Sequence, residues 1–190
     1  LDSAARENAL LHLALLQLTE FIEVSGVPCH KLTYRVYGDY LWEILPPEEQ
    51  ARWSRLLAQE LEKAHPVQEP QLVFELARLF HQGQVRDKAF EYYRRAGDEC
   101  SRFYDIDQIA FYYQEALNLL PGREDHRGQE LRNDLAKCRL GQGQLEAAQA
   151  LYQDNIDTAA TPELVARNER KKAQVLAKRG KWQEAIEQLL

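Results

Sequence analysis

Apolar residues along this 190-residue chain fall three and four positions apart far more often than two, and that spacing predicts helices. From Pro47, residues Trp53, Leu56, Leu57 and Leu61 form one stripe behind Glu48 and Glu49, which lie where the positive end of a helix dipole favours carboxylates. This helix is expected to reach about Lys63. Leu72, Val73, Leu76, Ala77 and Phe80 form the next stripe, and Ala89, Tyr92, Tyr93 and Ala96 the one after. The alternation continues through 109–120, 131–140, 145–152 and 164–176. Short amphipathic helices with short connections pack as antiparallel neighbours. Toward the N-terminus, Leu10 to Leu18 is apolar on nearly all faces, which predicts a helix buried in something larger than this chain. Residues 21–24 and 32–37 then flank Ser25-Gly26-Val27-Pro28, and 32–37 alternates with period two. A hairpin is expected there, with one long helix over 10–24 as the alternative. Besides that turn, proline and glycine interrupt the pattern at 65–70 and at Leu120-Pro121-Gly122. The 65–70 stretch is the expected boundary between residues 1–64 and 70–190.

Three stretches align as helix, glycine turn, helix: Gly83 to Ala89, Gly143 to Ala148, and Gly180 to Ala185. Each glycine falls where a helix end calls for a left-handed residue, and each alanine where two helices cross closely. Small residues recur upstream at Ala77, Ala136 and Ala173, and aromatics downstream at Tyr93 and Tyr152. This pattern resembles the tetratricopeptide repeat, a helix pair of about 34 residues. Ala77, Ala89, Tyr93 and Ala96 fit one register; Ala136, Gly143, Ala148 and Tyr152 fit a second; Ala173, Gly180 and Ala185 begin a third. Tyr113, Ala116 and Pro121 match the end of a further unit whose first half overlaps the preceding helix. Asn155 departs from the pattern by standing where alanine is expected. The resemblance implies an all-α fold over 70–190, a right-handed superhelix of antiparallel helix pairs. The stretch from Tyr34 to Gln50, with its Leu45-Pro46-Pro47-Glu48 turn, resembles the segment joining a winged-helix unit to helical repeats in STAND-type bacterial signalling ATPases, although Gly38 stands where that family tends to carry histidine. Residues 1–64 are accordingly expected to be a winged-helix-like remnant with linking helices, and the chain, opening without methionine, a piece of a longer protein.

Composition narrows the function classes. With 24 basic and 30 acidic residues the formal charge is -6, which opposes a general nucleic-acid or anionic-membrane role, although residues 161–190 carry seven Lys or Arg against four Glu. No apolar run is long enough to span a membrane. Cys29, Cys100 and Cys138 are far apart with no CxxC, so free thiols and a cytoplasmic, reducing setting are expected. No GxxxxGK[ST] phosphate cradle is present, and His12, His30, His65, His81 and His126 include no pair four apart, so no cofactor and no metal are expected; Cys29-His30 is adjacent but unsupported by a second pair. Glu48-Glu49 and Asp105/Asp107 sit at helix starts and read as caps. No nucleophile stands beside a visible base, so the chain itself is expected to be non-catalytic. The aromatics between Tyr92 and Tyr113 fall at core spacing, with Tyr92 and Tyr112 expected nearest the surface.

Stacked helix pairs leave a concave face lined by the first helix of each pair. The resemblance places Phe74, Arg78, His81, Arg94, Asp98, Asn133, Lys137, Arg170 and Gln174 on that face. It implies a protein-interaction or regulatory module that holds a peptide or a neighbouring domain of the same chain, without the family's carboxylate clamp, whose positions hold Phe74 and Arg78. The alternative is a fragment of a nucleic-acid-binding transcriptional regulator, using the N-terminal element and the basic C-terminal end.

Overall fold

The computed structural model describes residues 18–24, 27–65 and 69–188; the helix expected from Leu10 falls on residues outside this set as far as 17. The described elements are β1 (Thr19–Val24), β2 (Val27–Leu32), α1 (Arg35–Ile44), α2 (Pro47–Ala64), α3 (Pro70–Gln82), α4 (Arg86–Ser101), α5 (Ile106–Asn118), α6 (Arg127–Gly141), α7 (Leu145–Asp157), α8 (Pro162–Lys178) and α9 (Trp182–Glu187). The fold is all-α apart from the single hairpin among these residues. The chain divides into two compact units, Leu1–Gln50 and Ala51–Leu190, ahead of the 65–70 stretch that composition offers as the boundary.

In the first unit β1 and β2 pair antiparallel, Thr19 opposite Leu32 and Val24 opposite Val27. The hairpin is therefore present and a helix running to Val24 is not. Its second strand ends earlier than the period-two pattern of 32–37 suggests. Leu32 is already paired with the first residue of β1, and the chain turns into α1 at Arg35, with Tyr34 and Val36 exposed. Gln50 closes α1 by donating from Nε2 to the carbonyls of Trp42 (2.8 Å) and Leu45 (3.0 Å).

The second unit is an antiparallel array in two layers. Within one layer Glu62 of α2 accepts from Lys88 and Tyr92 of α4, Arg127 of α6 reaches Asp87 of α4, and Lys171 of α8 reaches Asn133 of α6. In the other layer Phe74 of α3 packs on Tyr112 of α5, with ring centroids 5.2 Å apart, and α5 faces α7 across Gln114, Leu117 and Leu151. The repeat is more regular than the sequence suggested. Ala58, Gly97, Ala136 and Ala173 fall 39, 39 and 37 residues apart, one on each of α2, α4, α6 and α8, and all are buried. Ala77, Ala116 and Asn155 follow 19 residues behind the first three, each at 0% exposure. The pairs are thus α2–α3, α4–α5, α6–α7 and α8–α9. The unit whose first half had to overlap a preceding helix finds it in α4.

Gly97 shows why the register holds. A Cβ there would fall on the Tyr113 ring, which is buried and fixed by its hydroxyl donating to Asp98 Oδ1 at 2.8 Å. Two of the turn glycines are left-handed as expected, Gly143 at φ 75° and Gly180 at φ 76°. Gly83 is not: its φ is -72° and Gln84 takes the left-handed place at φ 58°. Gly83 is instead required by close approach, because a Cβ would lie 2.9 Å from the Arg55 backbone of α2. The same neighbour corrects Tyr92. Rather than lying near the surface it is 1% exposed, stacked on Phe80 at 5.5 Å with its hydroxyl 2.7 Å from Glu62. Tyr112 is half-buried.

Between α6 and α7 the core turns polar. Arg132, 4% exposed, donates from Nε to Asn155 Oδ1 (2.8 Å), from both terminal nitrogens to the Arg123 carbonyl, and to Thr158 Oγ1 (3.2 Å). Asn155 returns a bond from Nδ2 to the Gln129 carbonyl at 2.9 Å. This explains why alanine is absent at 155.

Replacing Gly97 with Ala should lower stability by about 1–3 kcal/mol through overpacking, against roughly 1 kcal/mol of gained helix propensity. A raised melting midpoint would show instead that the Tyr113 ring moves aside. Asn155→Ala restores the repeat pattern yet should cost about 1–3 kcal/mol, since the buried Arg132 Nε–H loses its partner and the Gln129 carbonyl its second one; chemical denaturation measures it, and an unchanged midpoint would refute the network's role.

Candidate functional site

Alternate helices belong to opposite layers, and this sorts the nine residues expected on one face. Arg94 and Asp98 on α4, Asn133 and Lys137 on α6, and Arg170 and Gln174 on α8 share a layer. Phe74, Arg78 and His81 stand on α3 in the other, so the structure does not bring them together with the six. Phe74 is spent on Tyr112, Arg78 pairs with Glu75 and donates to Gln82, and His81 Nδ1 lies 2.9 Å from the Tyr93 hydroxyl. The split arises because α3 is the second helix of its pair.

A groove of about 510 Å³ runs between α4 and α6. Asp87, Phe90, Glu91, Arg94 and Asp98 line one wall, and Arg127, Glu130, Leu131 and Asp134 the other. Phe90 and Leu131 are nearly buried and form an apolar floor. Arg127 straps the groove at one end: its guanidinium contacts Asp87 Oδ1 (2.9 Å) and Asp125 Oδ2 (2.8 Å) and lies 5.1 Å from the Phe90 ring centre. The hydrogen bond from the Arg127 side chain, reinforced by its backbone N–H, holds the Asp125 carboxyl down at about 2. Two predicted cations are already committed to carboxylates on their own helices, Arg94 to Asp98 (3.2 Å) and Lys137 to Asp134 (2.7 Å).

Between α6 and α8 the face changes sign. Lys171 Nζ donates to Asn133 Oδ1 at 2.9 Å and stands 5.6 Å from the centre of the Tyr152 ring. Burial, and then the nearby charges of Arg167 and Lys137, push its pKa down. Arg167 and Arg170 are exposed beside it. The sequence reading passed over Glu91, Arg127 and Glu130, and took Arg167 and Lys171 only as part of the basic C-terminal end. Counting back six residues from Gly97, Ala136 and Ala173 finds Glu91, Glu130 and Arg167, but only once that register is known.

Among the described residues no group of His, Cys, Asp and Glu is placed to hold a metal ion. The Cys100 and Cys138 thiols are both pushed up by burial, which disfavours the reactive thiolate. Asp105 caps α5 as expected, accepting from the Gln108 N–H at 3.1 Å. No helix among these residues is long and apolar enough to cross a membrane.

Asp125 has a folded-state pKa below its ordinary 3.8, so its contribution is complete above about pH 5 and is lost as pH falls toward 2. Asp125→Asn should therefore lower stability at neutral pH and flatten its decline between pH 5 and 2. Parallel acid-denaturation curves for the two proteins would exclude this.

No protein-family model matches the chain, and no curated protein matches it. Among solved structures, it is similar to the crystal structure of BtubC (BKLC) from P. vanneervenii, with a TM-score of 0.47 and 18% identity over 73% of this chain and 70% of that one. It is also similar to the crystal structure of MamA, with a TM-score of 0.46 and 14% identity over 70% of this chain and 80% of that one.

Proposed function

We propose that this chain is a non-catalytic protein-interaction module that holds a peptide segment or a neighbouring domain against the α4–α6–α8 face. The observation that carries this reading is the groove between α4 and α6, where an apolar floor is rimmed by charged side chains from two successive repeats. Such a floor gives contact area and the rim gives selectivity, the division of labour found at protein interfaces. The resemblance of Tyr34–Gln50 to the segment that follows a winged helix supports a place in a larger STAND-type signalling regulator, in which the module would bind an effector or dock another domain. A nucleic-acid role fits less well, because Glu91 and Glu130 would meet phosphates on the same face as Arg167 and Arg170.

The test is selection of a displayed random-peptide library on the whole chain. Peptides so obtained should lose binding to Lys137→Glu/Arg170→Glu by about tenfold or more, and keep it with Arg78→Glu, whose site lies in the other layer. Equal losses from both variants, with melting midpoints unchanged, would reject the assignment of recognition to this face.

A further inference from the structure

Charges on the α4–α6–α8 face fall into two groups when their partners are counted. Arg94, Lys137 and Arg127 are neutralised by Asp98, Asp134, Asp87 and Asp125. Glu91, Glu130, Arg167 and Arg170 are exposed and form no ion pair among the described residues. Their order is one of sign, except that Glu163 at the start of α8 is unpaired too and is engaged by its own backbone N–H and by Thr161. Glu91 and Glu130 flank the groove from α4 and α6, whereas Arg167 and Arg170 stand on α8. Glu91, Glu130 and Arg167 occupy the same place in three successive repeats, so one row along the array reads acid, acid, base.

We propose that the occupant of this face is a charge-segregated protein segment, with a basic block over the α4–α6 groove and an acidic block over α8; this rests on the interaction reading above. The basic block follows from the groove's build. A lysine or arginine can lay its methylene stem on Phe90 and Leu131 while its charged head reaches Glu91 and Glu130 at the rim. The acidic block follows from α8, where Arg167 and Arg170 form no ion pair and the half-buried Lys171 lies near Arg167 and Lys137, with only Asp134, already bonded to Lys137, opposing them. A carboxylate there relieves repulsion among Arg167, Arg170 and Lys171, and arginine accepts it in bidentate fashion. Neighbouring helices pack at roughly 8–10 Å, so the middle of the α4–α6 groove stands about 14 Å from α8. At about 3.3 Å per residue, an extended segment places the centres of its blocks about four residues apart.

Two fluorescent peptides of identical composition test this on the whole chain at low salt. In one, lysines and glutamates are segregated into blocks whose centres lie about four residues apart; in the other they alternate. The segregated peptide should bind at least about tenfold more tightly. Glu91→Lys/Glu130→Lys and Arg167→Glu/Arg170→Glu should each remove that advantage, with circular dichroism confirming the fold; where a reversal fails to fold, the corresponding glutamine pair is used. Equal affinities, or no binding of either peptide, would overturn the proposal. Equal affinities that still fall in both variants would leave the interaction reading standing, whereas binding insensitive to every variant would count against that reading itself. Tighter binding of a single-stranded DNA oligonucleotide of matching length would assign the face to phosphates and also overturn it.

Discussion

Close approach between helices is what the second unit depends on, and it is possible only where one helix carries nothing larger than a methyl group. Ala58, Gly97, Ala136 and Ala173 supply that absence, once per pair. At Gly97 the requirement is strictest, since the Tyr113 ring occupies the space a methyl group would need. Glycine inside a helix is unfavourable by about 0.5–1 kcal/mol relative to alanine, and the burial of a tyrosine against it offsets that loss. The spacing of these four residues fixes which helices are first in each pair. That in turn decides which side chains face the groove.

Two consequences follow for the electrostatics of the array. Carboxylates within the layers are tied to specific cations, as where Lys88 and Tyr92 both donate to Glu62. Burial by itself would raise the Glu62 pKa, but those hydrogen bonds and the charges of Lys88 and Arg95 outweigh it and leave it lowered. On the α4–α6–α8 face Glu91, Glu130, Arg167 and Arg170 stand outside such pairs.

Helix positions, their antiparallel pairing and the hairpin's existence were legible from apolar spacing and turn residues. The register was not, because Gly97 sits mid-helix where a glycine reads as a weak point rather than as an anchor, and α2 was counted as a linker. Placing α3 first in its pair then put Phe74, Arg78 and His81 on the wrong layer relative to the other six residues. The burial of Tyr92 was hidden for the same reason, since its partner Glu62 belongs to α2. Some of the missing information was available: Asp134 lies three residues before Lys137 and Asp98 four after Arg94, spacings at which helical side chains pair. The meeting of Glu91 with Glu130 across a groove had no local signal, because it depends on how repeats 39 residues apart are stacked.

An array of similar helix pairs carries a hazard during folding, because helices with interchangeable apolar stripes can dock on the wrong neighbour. The buried guanidinium of Arg132 guards against this at the centre of the chain. Its acceptors are Asn155, Thr158 and the carbonyl of Arg123, a set that only α7 and the loop before α6 bring together. Against α3 or α5 the charge would be desolvated without those partners, and a mispaired intermediate would be too costly to accumulate. One arginine thereby acts as an address, directing α6 to α7.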